Sequence, residues 1–432
     1  MIIHLRITKH NKMRASKMAE NLIGSEIIKL AGEINEKIKK GEKIYNFTIG
    51  DFDPKLFPIP AELMEAIIDA YRQGHTNYPA ANGVAELRAA VASFLLKRQG
   101  LEYNANDEVL IAGGARPLIY AVYQAIVDPN DKVIFPVPSW NNNHYCHLSS
   151  AQQLLIETTP ETNFMPTAAM IAPFVEEAAL LALCSPLNPT GTVFSKEGLQ
   201  DICDLVLAEN IKREQSGRKP LYIMYDQIYW TLTYGDTEHH DPVTLCPALR
   251  PYTIFIDGLS KAFAATGVRV GWTVGPKYIV DKMKSILSHV GAWAAKAEQV
   301  ASAIYLEQDT NVEAYLMTIR GELEMRLQAI YKGLKDLRAK GYNIDAITPQ
   351  AAIYLTVQFE LKGKQTASGK ILESTADVTS YLLDEAKIAI VPFYAFGASK
   401  DSTWYRLSVG TCPTDEIPFM LSRLEVALEA LK

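Results

Sequence analysis

The sequence predicts a three-layer α/β fold: a mainly parallel sheet with helices on both faces in a large domain, followed by a smaller α+β domain. Three observations carry this expectation. Between about Ala61 and Leu306, short apolar runs alternate with stretches of helical period. These runs are continuously apolar instead of alternating with polar residues, as in strands buried on both faces. From about Asp309 the order changes to one long helical stretch, shorter strands and a closing helix.

Taken in order, Ile27, Leu30, Ala31, Ile34 and Ile38 recur at helical spacing between Glu26 and Lys40, and Gly41 stops the run. The turn-rich IGDFDPKLFPIP follows, then AELMEAIIDAYR, where Met64, Ile67, Ile68 and Tyr71 mark one helical face. Strands are expected at EVLIAGG, KVIFPVP, QLLIET, ALLALCSP, LYIMYDQIY, TIFIDGLSK and VRVGWTVG, with helices from about Pro117 and from Lys196 to Glu209. A helix near Val312 to Lys340 leads to the strands AIYLTVQF, IAIVPF and WYRLSVG. In the last helix Thr414 is the expected N-cap, and Ile417, Met420, Leu421, Leu424 and Leu428 form the apolar face. ELKGKQTASGKILEST reads as a surface loop. The expected division is 1–60 for a tail, a helix and a segment at the substrate mouth, 61–308 for the large domain, and 309–432 for the small one.

Composition removes several function classes. The 432 residues are 48% hydrophobic with a net charge of −6, which gives no basic footprint for nucleic acid. No apolar run approaches a membrane span. The N-terminal MIIHLRITKHNKMRASKMAEN has no apolar core of a secretory signal, and its first dozen residues read as a loose tail or an over-long start. Five scattered cysteines, Cys146, Cys184, Cys203, Cys246 and Cys412, argue against a disulfide framework and for a cytoplasmic protein. The HYCH cluster lacks a second ligand group at zinc-like spacing, so no metal is expected.

Ligands of open α/β sheets bind outside the carboxyl ends of the strands, and the distinctive motifs fall there. AGGARPL can present the backbone N–H groups of Gly113, Gly114 and Ala115 to an anion, although two glycines also make an ordinary tight turn. SPLNPTG aims the Asn188 amide from between prolines. MYDQIYW puts Asp226 and Tyr229 just past a strand, where the acid could anchor a cation or cap a helix. In DGLSK the single lysine, Lys261, stands at a strand end, where a lowered pKa suits a nucleophile toward a carbonyl. Ser260 and Arg269 could meet a phosphate on the same molecule. An aldehyde with a phosphate, a ring nitrogen needing a carboxylate and a ring oxygen needing donors describe pyridoxal phosphate.

These motifs resemble those of class I aminotransferases of the fold-type I pyridoxal-phosphate family, aspartate aminotransferase-like, in the family's order and over nearly the whole chain from Glu26. GLSKAFAATGVRVG carries most of the resemblance, and SPLNPTG, YDQIY and RLSVGT support it. The resemblance implies that Lys261 forms the Schiff base and later moves the proton, and that Asp226 pairs with the ring nitrogen. It implies Tyr229 and Asn188 at the ring oxygen, Trp140 stacked on the ring, and Gly114, Ala115, Ser260 and Arg269 at the phosphate. Tyr78 would reach the phosphate in a neighbouring subunit, making a homodimer. Arg406 and Gly50 would hold the α-carboxylate of the amino acid or 2-oxo acid, with Asn188 beside them. Without the resemblance, Arg406 reads as a strand arginine in a surface ion pair.

Two departures bear on specificity. Relatives acting on dicarboxylic substrates often carry Gly-Gly-Lys where this chain has Gly114-Ala115-Arg116, and residue 258 is glycine where some members have serine. Arg116 and Lys296 are the candidate partners for a distal carboxylate, each reading also as a surface cation. Trp293 and Tyr394 could line an apolar pocket instead, and Asp51 and Asp53 are further candidates for substrate selection. The expected reaction is ping-pong exchange between an L-amino acid, aspartate leading, and a 2-oxo acid, with 2-oxoglutarate on one side. The rivals are a transaminase for aromatic or neutral amino acids, a carbon–sulfur β-lyase of the same fold, and a cofactor-binding sensor attached to a regulator.

Overall fold

A computed structural model describes residues 15–22 and 26–432; the expected loose tail lies outside the described residues, as do residues 23–25. The strands are β1 (Tyr45–Asn46), β2 (Val109–Ala112), β3 (Lys132–Val137), β4 (Gln152–Glu157), β5 (Ala178–Cys184), β6 (Tyr222–Asp226), β7 (Thr253–Gly258), β8 (Gly271–Val274), β9 (Ile344–Ala346), β10 (Tyr354–Phe359), β11 (Ile388–Ala389), β12 (Val391–Pro392) and β13 (Trp404–Ser408).

Seven of them form one sheet in the order β2-β8-β7-β6-β5-β3-β4. Its neighbours from β7 to β4 run parallel, and β8 is antiparallel to both β7 and β2. Continuous apolar runs are required in the inner strands, which bury both faces, whereas the edge strand β4 is largely exposed and buries only Ile156. In β5, Leu181 and Leu183 pack into one core with Leu199, Ile202 and Val206 of the helix Lys196–Gln215. Leu180 and Ala182 pack into another with Leu118 and Val122 of the helix Ala115–Ile126. Helices on both faces give the three layers expected.

The register sets the site. Cys184 of β5 pairs with Asp226 of β6, Asp226 with Ile256 of β7, and Gly258 with Gly271 of β8, which also pairs with Ala112 of β2. Four motif-bearing turns therefore leave the sheet along one edge.

Beyond it, β12-β13-β10-β9 make an antiparallel sheet covered by the helices Asp309–Ala339 and Ile417–Glu429. Val357 of β10 shares a core with Leu323, Leu327 and Ile330 of the first helix and Leu424 of the second. The long helix also reaches the large sheet's core through Val312 and Leu316. The N-terminal segment packs beside this smaller sheet: β1 and β11 form a separate two-stranded parallel sheet, Tyr45 opposite Ile388. The Ser408 N–H then donates to the Phe47 carbonyl, and the Asp53 N–H to that of Gly410.

Two expectations are corrected. Thr414 is not the N-cap of the last helix; it starts a 3-10 turn, Thr414–Glu416, and the α-helix begins at Ile417. Pro418 explains this, since proline fits the first turn of a helix. In the helix Ala61–Arg72, three of the four residues expected on the apolar face, Met64, Ile68 and Tyr71, are exposed; Ile67 is partly buried against the core, and Leu63 and Ala70 are the buried residues. Residues one step around the helix pack on the neighbouring helix Lys296–Leu306. No helix among the described residues is long and apolar enough to cross a membrane.

Candidate active site

The strand-end turns enclose a cavity of about 620 Å³ between the two sheets. Gly50, Ala115, Trp140, Asn188 and Asp226 line it, as do Tyr229, Ser260, Lys261, Arg269 and Arg406. Of the residues expected at the site, Gly114 sits just behind this wall. Tyr78 stands outside it, 82% exposed, with its ring edge-on to Trp293.

Lys261 is held on the four-residue helix Leu259–Ala262, immediately after β7. Its Nζ donates to the Gly50 carbonyl at 2.7 Å and lies 5.7 Å from the centroids of Phe52 and Tyr229. Burial lowers the amine pKa to about 8, opposed by Asp51 and assisted by Arg406, Arg116 and Arg269. At neutral pH about a tenth of such amines are uncharged, and the neutral form is the nucleophile.

Asp226 closes β6, where burial raises its carboxyl to about 6 against the stabilising Ile228 N–H. A cation brought to this carboxylate would recover the cost of its burial. The Tyr229 hydroxyl, three residues on, meets that of Tyr354 at 2.6 Å.

The anion pole lies across the cavity. Gly114 precedes the helix Ala115–Ile126 with φ 96°, and a Cβ there would strike the Arg269 guanidinium at 2.3 Å, so glycine alone permits the approach. Arg269 is oriented by the carbonyls of Thr266 at 2.7 Å and Gly113 at 3.1 Å. A helix N-terminus, Ser260 and a guanidinium converge as a phosphate would require.

Arg406 corrects the surface ion-pair reading: it is 2% exposed and has no acidic partner among the described residues. Its Nη1 donates to Asn188 Oδ1 at 3.1 Å and its Nη2 to the Thr48 carbonyl at 2.7 Å, while Nε is buried with no acceptor. The guanidinium sits between the rings of Tyr354 and Phe396, 4.7 and 4.9 Å from their centroids. A buried guanidinium held by neutral acceptors is a site for a carboxylate.

Arg116 also lines the cavity, 5.4 Å above the Trp140 ring, with no ion-pair partner among the described residues. Lys296 instead donates to Asn77 Oδ1 on the exposed side near Tyr78, away from the cavity. Trp293 stands with Tyr78 as well. Asp51 accepts from Thr266 Oγ1 at 2.6 Å, and Asp53 caps its own turn through the Lys55 N–H. No cluster of His, Cys, Asp or Glu able to hold a metal occurs among the described residues.

Sequence reasoning missed Thr48, Thr266 and Tyr354. Thr48 acts through its carbonyl, which leaves no mark on sequence. Tyr354 reads as one more aromatic in a strand; only its pairing with Ser408, two residues from Arg406, places it at the site. A pyridine aldehyde phosphate fits the donor set: a phosphate cradle, a half-buried carboxylate, phenol and amide donors, and a poised amine within one cavity.

The family model of aminotransferase class I and II matches residues 42–424. An aspartate aminotransferase of Bacillus sp. (strain YM-2) is 29% identical, covering 88% of this chain and 91% of its own. The solved aspartate aminotransferase of Rhizobium meliloti superposes with a TM-score of 0.87 at 26% identity, over 97% of this chain and 100% of its own. That of Thermus thermophilus with maleate gives 0.83 at 26%, over 96% and 100%. The chain therefore belongs to the class I and II aminotransferase family, and it is a transaminase that uses pyridoxal 5'-phosphate.

Proposed function

We propose that the enzyme moves an amino group between L-aspartate and a 2-oxo acid, 2-oxoglutarate on the acceptor side, by ping-pong exchange. The observation that carries the reading is Arg406, buried without an acidic partner in the same cavity as the amine of Lys261. Gly114, Ala115, Ser260 and Arg269 would hold the cofactor phosphate, Asp226 the ring nitrogen, Tyr229 and Asn188 the ring oxygen, and Trp140 the ring face. Bound there, pyridoxal 5'-phosphate supplies an aldehyde for the amino group and a ring that accepts the electron pair left at the α-carbon. Arg406 and the Gly50 backbone would orient the substrate α-carboxylate. The Lys261 amine, freed when substrate takes its place, would carry the proton from the α-carbon, and the enclosing walls would keep bulk water from competing.

Aspartate is favoured by charge. Arg269 is matched by a phosphate and Arg406 by the α-carboxylate, which leaves Arg116 as a further cation facing the cavity for a second carboxylate. The named activity of the Bacillus and Rhizobium relatives, and the dicarboxylate maleate with the Thermus enzyme, support the same choice. The division at 1–60, 61–308 and 309–432 belongs to this reading, supported by the long helix that opens at Asp309.

The chain would act as a homodimer in the cytoplasm. The exposed face of Met64, Ile68 and Tyr71, with Tyr78 and Ile304, is the kind of apolar patch that a second copy covers, and the five cysteines are free. Tyr78 would then reach the partner subunit's phosphate site.

The test is a half-reaction. Cofactor-loaded protein given aspartate without any oxo acid should form one oxaloacetate per site and stop, and 2-oxoglutarate should then restart it. Response to aromatic or neutral donors alone would discard aspartate. Continuous release of pyruvate and ammonia from a cysteine conjugate would turn the reading to the β-lyase.

A further inference from the structure

Tyr229 and Tyr354 come from different sheets. Tyr229 follows β6 of the large sheet, whereas Tyr354 opens β10 of the small one. Their hydroxyls meet at 2.6 Å, and the rings stand edge to face with centroids 5.5 Å apart. Each residue is only 2% exposed, so no bulk water competes for the contact. The Tyr354 hydroxyl has no other hydrogen-bond partner among the described residues. A Cβ added at Gly50 would come within 2.9 Å of that hydroxyl, so the pocket has no room for a wider neighbour there.

Two phenols at this distance share one hydrogen bond, and either could donate. The cofactor removes the ambiguity. A Tyr229 that gives its only proton to the ring oxygen must accept from Tyr354, because a phenol has one O–H to give. Donors in such a chain polarise one another, strengthening each bond by about 10–30%. We propose that Tyr354 is a positioning residue that acts through Tyr229: its hydroxyl donates to Tyr229 and strengthens the hydrogen bond that Tyr229 gives to the ring oxygen of pyridoxal phosphate. The proposal rests on the reading that Tyr229 contacts that oxygen.

The consequence concerns protonation of the lysine–cofactor linkage. Negative charge grows on the ring oxygen when the linkage nitrogen loses its proton, so a stronger donor favours the deprotonated form and lowers the pH of the change. The other charged or titratable groups facing the two phenols are Arg406 on β13, Cys184 at the end of β5, Asp51 on the N-terminal segment and Lys261 itself. Tyr354→Phe keeps every one of these and the ring that faces Arg406.

The test is a spectrophotometric pH titration of the cofactor-loaded protein without substrate, read as the midpoint of the colour change. Tyr354→Phe should raise the midpoint by about 0.3–1 pH unit. Tyr229→Phe should raise it further, and the double variant should match Tyr229→Phe alone, because Tyr354 has nothing left to act through. An unmoved midpoint in Tyr354→Phe alongside a raised one in Tyr229→Phe overturns the proposal, as do additive shifts in the double variant. Unmoved midpoints in both remove the underlying reading of Tyr229. Should Tyr354→Phe lose the cofactor, a fluorotyrosine at 354, a stronger donor, must lower the midpoint; a rise or no change overturns the proposal.

Discussion

The Lys261 amine donates to the carbonyl of Gly50 at 2.7 Å, joining residues 211 positions apart in the chain. Gly50 belongs to the segment that the Ser408 N–H ties to the small sheet at the Phe47 carbonyl, so the reactive amine rests against the wall that would receive the substrate carboxylate. A backbone carbonyl is a neutral acceptor, so the amine can leave it at the cost of one hydrogen bond.

Lys261→Ala should still take up the cofactor through the phosphate cradle, Asp226 and Tyr229, while transamination falls by at least about 10²–10⁴-fold, the share of a general acid–base group. Cofactor content after gel filtration and single-turnover oxaloacetate formation measure the two effects separately. Near-normal turnover would remove Lys261 from the mechanism.

Arg406→Lys should weaken every amino donor alike, raising KM by about 10–100-fold with a smaller effect on kcat. A lysine cannot make the paired bonds of a guanidinium, and a charge-assisted hydrogen bond is worth about 1.5–3 kcal/mol. Steady-state kinetics with aspartate and alanine check this, and unchanged KM for both would make Arg406 structural.

Arg116→Gln separates the side chains of substrates. It should lower kcat/KM for aspartate by about fivefold to tenfold, the scale of a partly exposed ion pair worth about 1 kcal/mol, and leave alanine unchanged. Equal loss for both donors would return Arg116 to a role on the Trp140 ring, and no loss for aspartate would leave the distal carboxylate without its proposed partner.

What could be read from sequence follows from how local each signal is. Lys261, Asp226 and Asn188 end strands whose apolar runs are continuous, so their position at the sheet edge is visible within about ten residues on either side. The pairing of β1 with β11 was not, because two-residue strands carry no periodicity and Tyr45 meets Ile388 from the far end of the chain. Tyr354 and the carbonyls of Thr48 and Gly50 reach the site through that pairing and through the β10–β13 register, which no local pattern announces. Thr414 misled for the opposite reason: a good capping residue was outweighed by Pro418, which sets the helix start three residues later.

Asp226 makes the cofactor-free protein sensitive to pH. Burial raises its carboxyl from 3.8 to about 6, so between these values the folded chain holds a proton that the unfolded chain has released. Stability therefore falls as pH rises across this window; the contribution is present in full below the unfolded value and lost through the folded one, about 3 kcal/mol at most. Asp226→Asn keeps the shape and an acceptor for the Ile228 N–H but cannot ionise. In urea unfolding of cofactor-free protein at pH 4, 5, 6 and 7, the midpoint of the wild type should drop relative to Asp226→Asn as pH rises to about 6 and then run level. Loading the cofactor should abolish or reverse that relative drop, because a ring-nitrogen cation favours the carboxylate. A difference between the two proteins that stays constant from pH 4 to 7 without cofactor would mean that Asp226 is not held in the protonated form by burial.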